Sequence, residues 1–202
     1  MEHFLEVKNL EVAEAMLRGI PNGIERAVAG TVNKALGKVK TEMKAKVTSE
    51  YNIKKMEVEK LLVLQKANFS TLRGSISAKS HRTPLIKFMT SRSENGITVE
   101  VNKSEMSKIL RGNPKYYGKP FLATMLNGHK GIFQRSDTKR RKMTSGKNEG
   151  KKQVPIAQLY SLSISEMLGS ETVSEYAIEK GQDYLEQIMA KEVDRILKGY
   201  VK

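Results

Sequence analysis

The 202-residue chain contains no cysteine and no tryptophan. Without thiols, a disulfide framework is excluded, and so is every zinc or iron–sulfur site built on thiolate ligands. Aromatic residues make up only 6%, so the core must rest on Leu, Ile, Val, Ala and ten methionines. No apolar run approaches the roughly 20 residues that span a bilayer. The opening MEHFLEVKNL, with Glu2 and Glu6, lacks the basic and apolar regions of a secretory signal. These absences predict a soluble protein, made in a cytoplasm, with no membrane partner.

The usual chemical devices are missing as well. His3, His81 and His129 are not paired at helical spacing, and none sits among carboxylates as a metal ligand would. His129 falls in a predicted hairpin turn and reads as an exposed turn residue. There is no Gly-rich phosphate loop, no dinucleotide-binding fingerprint after a strand and no nucleophile elbow. No acidic pair suggests general acid–base work. The expectation is a protein that is not an enzyme, with no catalytic residue, no metal and no cofactor. A hydrolase would need an acid or histidine cluster that is not displayed.

What the chain does have is positive charge. Lys and Arg number 36 against 22 Asp and Glu, a formal net charge of +14. Such a balance favours nucleic acid, an anionic membrane or an acidic protein surface without choosing among them. The charge is concentrated in two places. Residues 136–152 hold Lys139, Arg140, Arg141, Lys142, Lys147, Lys151 and Lys152 against two acids, with almost no apolar content. They read as a flexible basic loop. Lys34, Lys38 and Lys44, with Lys40 and Lys46, mark one face of a predicted helix. Either feature fits a solvated surface or contact with an anion. Phosphate contacts from such side chains give salt-sensitive, non-specific affinity. No aromatic is interleaved for base stacking, and Tyr116–Tyr117 stands apart from the run.

Periodicity predicts an α+β protein. Leu5, Val7 and Leu10, with Phe4, suggest a short strand and turn, followed by a short helix ending at Gly19. Ile24, Ala27, Val28, Thr31, Val32, Ala35, Leu36, Val39, Met43 and Val47 recur at three- and four-residue spacing, giving a long amphipathic helix over 23–48. A second helix is predicted over 53–64, capped at Asn52. From 65 to 135 the pattern turns to strands, with a turn at 93–96. Asn127–Gly128 joins the apolar runs 121–126 and 132–135, a strong hairpin signal. Residues 153–160 read as an edge strand, because Pro155 cannot donate to a ladder. A long C-terminal helix is predicted from Ser170–Glu171 to Leu197, with Gly199 as a stop. The expected architecture is an antiparallel sheet of about four strands packed against the two long helices. It is expected to form one domain over 1–202, with residues 1–20 as an N-terminal appendage.

The order of these elements resembles the prophage minor tail protein Z family over residues 22–198. The resemblance is carried by Ile24-Glu25-Arg26-Ala27 and Val32-Asn33-Lys34-Ala35, then the basic segment 52–64. It continues through the hairpin from Phe121 to Arg135, which ends Phe133-Gln134-Arg135, the basic loop, and Val154-Pro155-Ile156 before a final helix. Ser70-Thr71-Leu72-Arg73-Gly74-Ser75-Ile76 resembles related tail-completion proteins. The resemblance implies a structural protein at the head-proximal end of a phage-type tail, made in a bacterial cytoplasm and acting in tail completion and head–tail joining. It also implies a homohexameric ring, with the tail tube and the neck or connector proteins as partners. DNA passing through the lumen, or an adjacent ring, would meet the basic loop. The alternative is a free cytoplasmic protein that binds nucleic acid without sequence specificity.

Overall fold

A computed structural model describes residues 5–79, 81–105, 108–144 and 149–200. It confirms the mixed α+β class and divides the chain into two compact units. The first comprises Met1–Thr48, Lys54–Ser80 and Ile164–Lys202; the second comprises Ser49–Ile53 and His81–Ser163.

The first unit is mainly helical. Its helices are α1 (Leu10–Leu17), α2 (Gly23–Glu50), α3 (Lys55–Glu59), α4 (Ile164–Leu168) and α5 (Glu171–Tyr200). The apolar stripe of α2 buries Ala27, Val28, Ala35, Val39 and Val47, as its spacing predicts. α5 buries Val173, Ala177, Leu185, Ile188, Met189, Val193 and Ile196 on a matching stripe. Ala27 and Val28 share a core cluster with Met189, Val193 and Ile196, and Ala35 packs with Leu185 and Ile188. Rising numbers on α2 meet falling numbers on α5, so the two helices run antiparallel. Each fully buried Val, Leu, Ile or Met side chain stabilises by about 1.5–3 kcal/mol. α1 adds Ala13 and Leu17 to the same core.

Three local expectations change here. No strand forms at residues 5–9, and Phe4 lies outside the described residues. Val7 lies against the helical core instead, and Leu5 lies against Gly181. The helix predicted over 53–64 stops at Glu59, and its N-cap is Lys54 rather than Asn52. Leu62–Gln65 forms β1, paired antiparallel with β2 (Ser75–Ala78). A four-residue apolar run fits either state by periodicity, and here the partner strand decides. α5 passes through Gly199 to Tyr200, since glycine weakens a helix without forbidding it.

The second unit carries β3 (Arg82–Pro84), a 3-10 turn at Leu85–Phe88, β4 (Met89–Ser93), β5 (Gly96–Val99), β6 (Lys108–Ile109) and β7 (Tyr117–Thr124). After these come β8 (Lys130–Arg135), β9 (Arg141–Lys142), β10 (Lys152–Gln153), β11 (Ile156–Gln158) and β12 (Tyr160–Ser163). They form small antiparallel sheets of orders β4-β5-β6, β11-β8-β7, β12-β3 and β10-β9 rather than the one larger sheet expected. Pro84 and the 3-10 turn separate β3 from β4, and register shifts interrupt the β4–β5, β7–β8 and β12–β3 pairings. The Asn127–Gly128 hairpin forms as predicted, with Gly128 at φ 78° and Phe121 opposite Phe133. β8 is central in its sheet and buries Ile132, Phe133 and Gln134. The single edge strand expected over 153–160 is divided: Gln153 ends β10, β11 is an edge strand of its sheet, Tyr160 opens β12, and Pro155 lies between β10 and β11 outside any strand.

Candidate functional site

The basic segment after β8 is a short arm with a defined root. Asp137 organises it. Its carboxylate accepts the backbone N–H groups of Thr138 and Lys139 and binds Arg141 at 2.6 Å. The Lys139 amide, joined by Arg141 and Thr138, overcomes partial burial and holds the Asp137 carboxyl below its ordinary value. The chain then rises through β9 and returns through β10, with Lys142 opposite Lys152 and Arg141 opposite Gln153. The loop expected over 136–152 is therefore partly a two-stranded ribbon, continued by the Met143 N–H bond to Lys151 O.

Lys139, Arg140, Arg141, Lys142, Lys151 and Lys152 are all exposed on this arm, while Lys147 lies outside the described residues. Among the described residues, only Arg141 of these has an acidic partner. Directly opposed like charges such as Lys142 and Lys152 disfavour a strand pair. An anion laid across the ribbon would relieve that repulsion. The arm can therefore grip a polyanion electrostatically, but its sequence holds no aromatic ring for stacking, and among the described residues it presents no metal-binding geometry.

The helix face is different. The α2 lysines that suggested an anionic neighbour have partners within the first unit. Lys34 is bonded to Glu192, and Lys40 and Lys44 both pair with Glu59. Lys38 lies 4.8 Å from the centre of the Tyr184 ring. Hydrogen bonds from Lys44 and Lys40 lower the Glu59 pKa. Two carboxylates that the sequence did not single out, Glu42 and Glu192, anchor this arrangement. Glu42 accepts the Tyr176 hydroxyl at 2.8 Å and the Tyr184 hydroxyl at 2.9 Å. Those two bonds lower its pKa and raise both tyrosines. Glu192 is 2% exposed yet charged, clamped by Lys34 and Arg195. Burial pushes its carboxyl up, but the two cations outweigh that and its pKa is lowered. A sequence signal existed: Glu192 lies midway between Ile188 and Ile196, on the apolar stripe itself.

Neither surface has the look of a reaction centre. Among the described residues no cluster of three or more His, Asp or Glu could hold a metal. His129 is exposed in the hairpin turn and meets Gln158 Oε1 at 3.0 Å. Among the described residues no helix is long and apolar enough to cross a membrane. A paired helical scaffold in one unit and a largely unpaired basic arm in the other suit assembly. Residues 7–202 match the family described as prophage minor tail protein Z (GPZ).

The chain belongs to the prophage minor tail protein Z family. The match extends the resemblance to residue 7 and so takes in α1. No curated protein and no solved structure matches the chain. Family membership makes this a structural component of a phage tail, located in the virion tail and in contact with other tail components. The family is not a known enzyme family.

Proposed function

We propose that this minor tail protein Z family member completes the head-proximal end of the tail and joins it to the head as one subunit of a closed, homohexameric ring. The observation that carries this reading is the family match over residues 7–202. The arm supports it further. A ring around a DNA path would turn a small cluster of exposed cations into a circle of them, repeated in every subunit. Lys139, Arg140, Arg141, Lys142, Lys147, Lys151 and Lys152 would then face the DNA lumen or an adjacent ring. On this reading residues 1–202 act as a single assembly domain, and the neck or connector proteins and the tail tube are its neighbours. In a headless tail-like particle the same ring would cap a tube that carries no DNA.

The test is removal of the protein from the assembling phage. Filled heads and finished-length tails should then accumulate unjoined, and adding the purified protein back should restore joining. Normal virions in its absence, or its absence from purified particles, would refute the assignment. The exposed arm also favours a second reading, a free nucleic-acid-binding protein. That reading requires duplex binding with a steep salt dependence by protein that never enters particles.

A further inference from the structure

The second unit holds nearly all of the chain's excess charge. Its sequence carries 17 Lys and Arg against six Asp and Glu, a formal +11. The first unit carries 19 against 16, only +3. Within the second unit, residues 106–163 contain 13 Lys and Arg and two acids, Asp137 and Glu149. Asp137 is already bonded to Arg141 at the root of the arm.

In the same unit, one face of the β11-β8-β7 sheet gathers rings. Side chains alternate along a strand, so Ile132 and Gln134, the most deeply buried residues of β8, share one face, and Phe133 and Arg135 share the other. Residues directly opposed across a strand pair lie on the same face. Register therefore places Tyr117, Arg135 and Ile156 in one row, and Phe121, Phe133 and Gln158 in the next. Arg135 is exposed, as are Tyr117 at 48% and Ile156 at 39%. Tyr117 stands apart from the basic run in sequence, yet the fold sets it beside the strand that leads into the arm.

The rings are held in place. The Phe121 and Phe133 centres are 6.5 Å apart, and His129 meets Phe133 edge-on at 6.4 Å. Gly131 leaves room for the Phe133 ring, since a Cβ there would come within 3.0 Å of it. Tyr160 is 48% exposed and donates its hydroxyl to Gln158 Oε1 at 3.1 Å, the oxygen that His129 Nε2 meets at 3.0 Å. Charge and rings together select the occupant. No acid occurs in residues 117–135 or 153–163, which build this face. A second copy of the chain would only add positive charge. Duplex DNA would offer phosphates but keep its bases stacked on one another, leaving the tyrosines uncovered. An unpaired strand offers both, with bases for the rings and for the Arg135 plane and phosphates for the arm.

We infer that the β11-β8-β7 face, continued by the basic arm, binds single-stranded nucleic acid. Unpaired bases stack on Tyr117 and Tyr160 beside Arg135, while Lys139, Arg140, Lys142, Lys151 and Lys152 hold the phosphates. The inference rests on the reading of the arm as a DNA contact and names the strand form it takes; it needs neither the ring nor the joining role.

The test uses the full chain and two probes, an oligothymidylate of about 16 nucleotides and a duplex of the same length, with affinity followed by fluorescence anisotropy across salt. The single strand should bind more tightly than the duplex. Tyr117→Ala and Tyr160→Ala, each checked for folding by urea denaturation, should weaken single-strand binding about tenfold at an unchanged salt slope. Both should leave duplex binding as it was. Tyr117→Phe and Tyr160→Phe keep the ring and should bind as the wild type does. Changing the five arm cations to serine should instead flatten the salt slope for both probes. Equal affinity for the two probes, or folded alanine variants that bind like wild type, overturns the stacking face and leaves the arm as a phosphate contact. Alanine variants that bind the single strand normally but drop out of purified tails show that a protein neighbour covers the rings, and overturn it too. Binding of neither probe at low salt overturns the DNA reading of the arm as well.

Discussion

The Lys34–Glu192–Arg195 cluster should respond asymmetrically to losing its two signs of charge. Glu192 is 2% exposed, whereas the Lys34 and Arg195 side chains are 58% and 57% exposed. Replacing both cations with methionine strands a carboxylate away from water. Breaking a buried pair in that direction costs about 3–5 kcal/mol. Glu192→Gln does the reverse. Both cations turn outward to water, and the amide oxygen still accepts one hydrogen bond, so the loss should be about 1–2 kcal/mol.

The pH dependence separates the two further. In the wild type the Glu192 pKa is lowered from 4.5, so its stabilising contribution is present above that value and fades as pH falls through the folded value. In the double variant burial acts unopposed and raises the carboxyl pKa. The deficit should then be full at neutral pH and vanish in acid, where the carboxyl is protonated whether folded or not. Urea denaturation followed by helix ellipticity measures this across the acid to neutral range. Equal losses for the two variants, or a deficit that persists in acid, would refute the reasoning.

Other consequences follow from single contacts. Glu42 titrates below 4.5, so its bonds to Tyr176 and Tyr184 stabilise the helix pair above that value, and this contribution should fade as pH drops through its folded value. At the alkaline end the same bonds raise both tyrosine pKa values above 10.0. That stabilisation is intact below the ordinary value and lost as pH rises through the folded one, so two of the seven tyrosines should ionise late by ultraviolet absorbance. Gly112 sits at φ 88°, and a Cβ there would meet the Gln134 amide at 2.6 Å. Gly112→Ala should cost about 2–4 kcal/mol in urea denaturation, from left-handed strain and from the Gln134 bond to the Asn113 N–H. Changing Lys139, Arg140, Lys142, Lys151 and Lys152 to serine should leave folding unchanged but reduce head–tail joining, scored by plaque yield. Unchanged joining would remove the arm from the mechanism.

The parts of the fold legible in the sequence are those whose signal repeats. α2 and α5 run 28 and 30 residues, so their apolar stripes recur many times and fix the helices to within a few residues. The β7–β8 hairpin declares itself through Asn127–Gly128. The misread elements are short. Leu61 to Leu64 satisfies either period, and only pairing with Ser75–Ala78 makes 62–65 a strand. The ribbon at the root of the basic arm is illegible because its paired residues, Arg141–Lys142 and Lys152–Gln153, are charged or polar and carry no alternation. Of the candidate site, the arm was found by composition alone. The partners of the α2 lysines were not, since Glu59 and Glu192 are distant in sequence from the lysines they serve.

That difference changes how the +14 charge should be understood. In the sequence, the α2 face and the arm look like one kind of signal, a run of lysines short of acids. In the structure, Lys34, Lys40 and Lys44 are tied to carboxylates of their own unit, so their charge stabilises the scaffold. Lys139, Arg140, Lys142, Lys151 and Lys152 have no such carboxylate among the described residues, so their field reaches outward. Screening by salt acts most on exposed, unpaired charge and least on partly buried pairs. Added salt should therefore weaken whatever the arm holds well before it loosens α2 from α5. A ring built from these subunits would bring many arms together, and their mutual repulsion would grow with each copy added. If the proposed ring forms with its arms turned inward, closure would then depend on an anion to share them, and DNA or an acidic neighbouring ring would contribute to assembly.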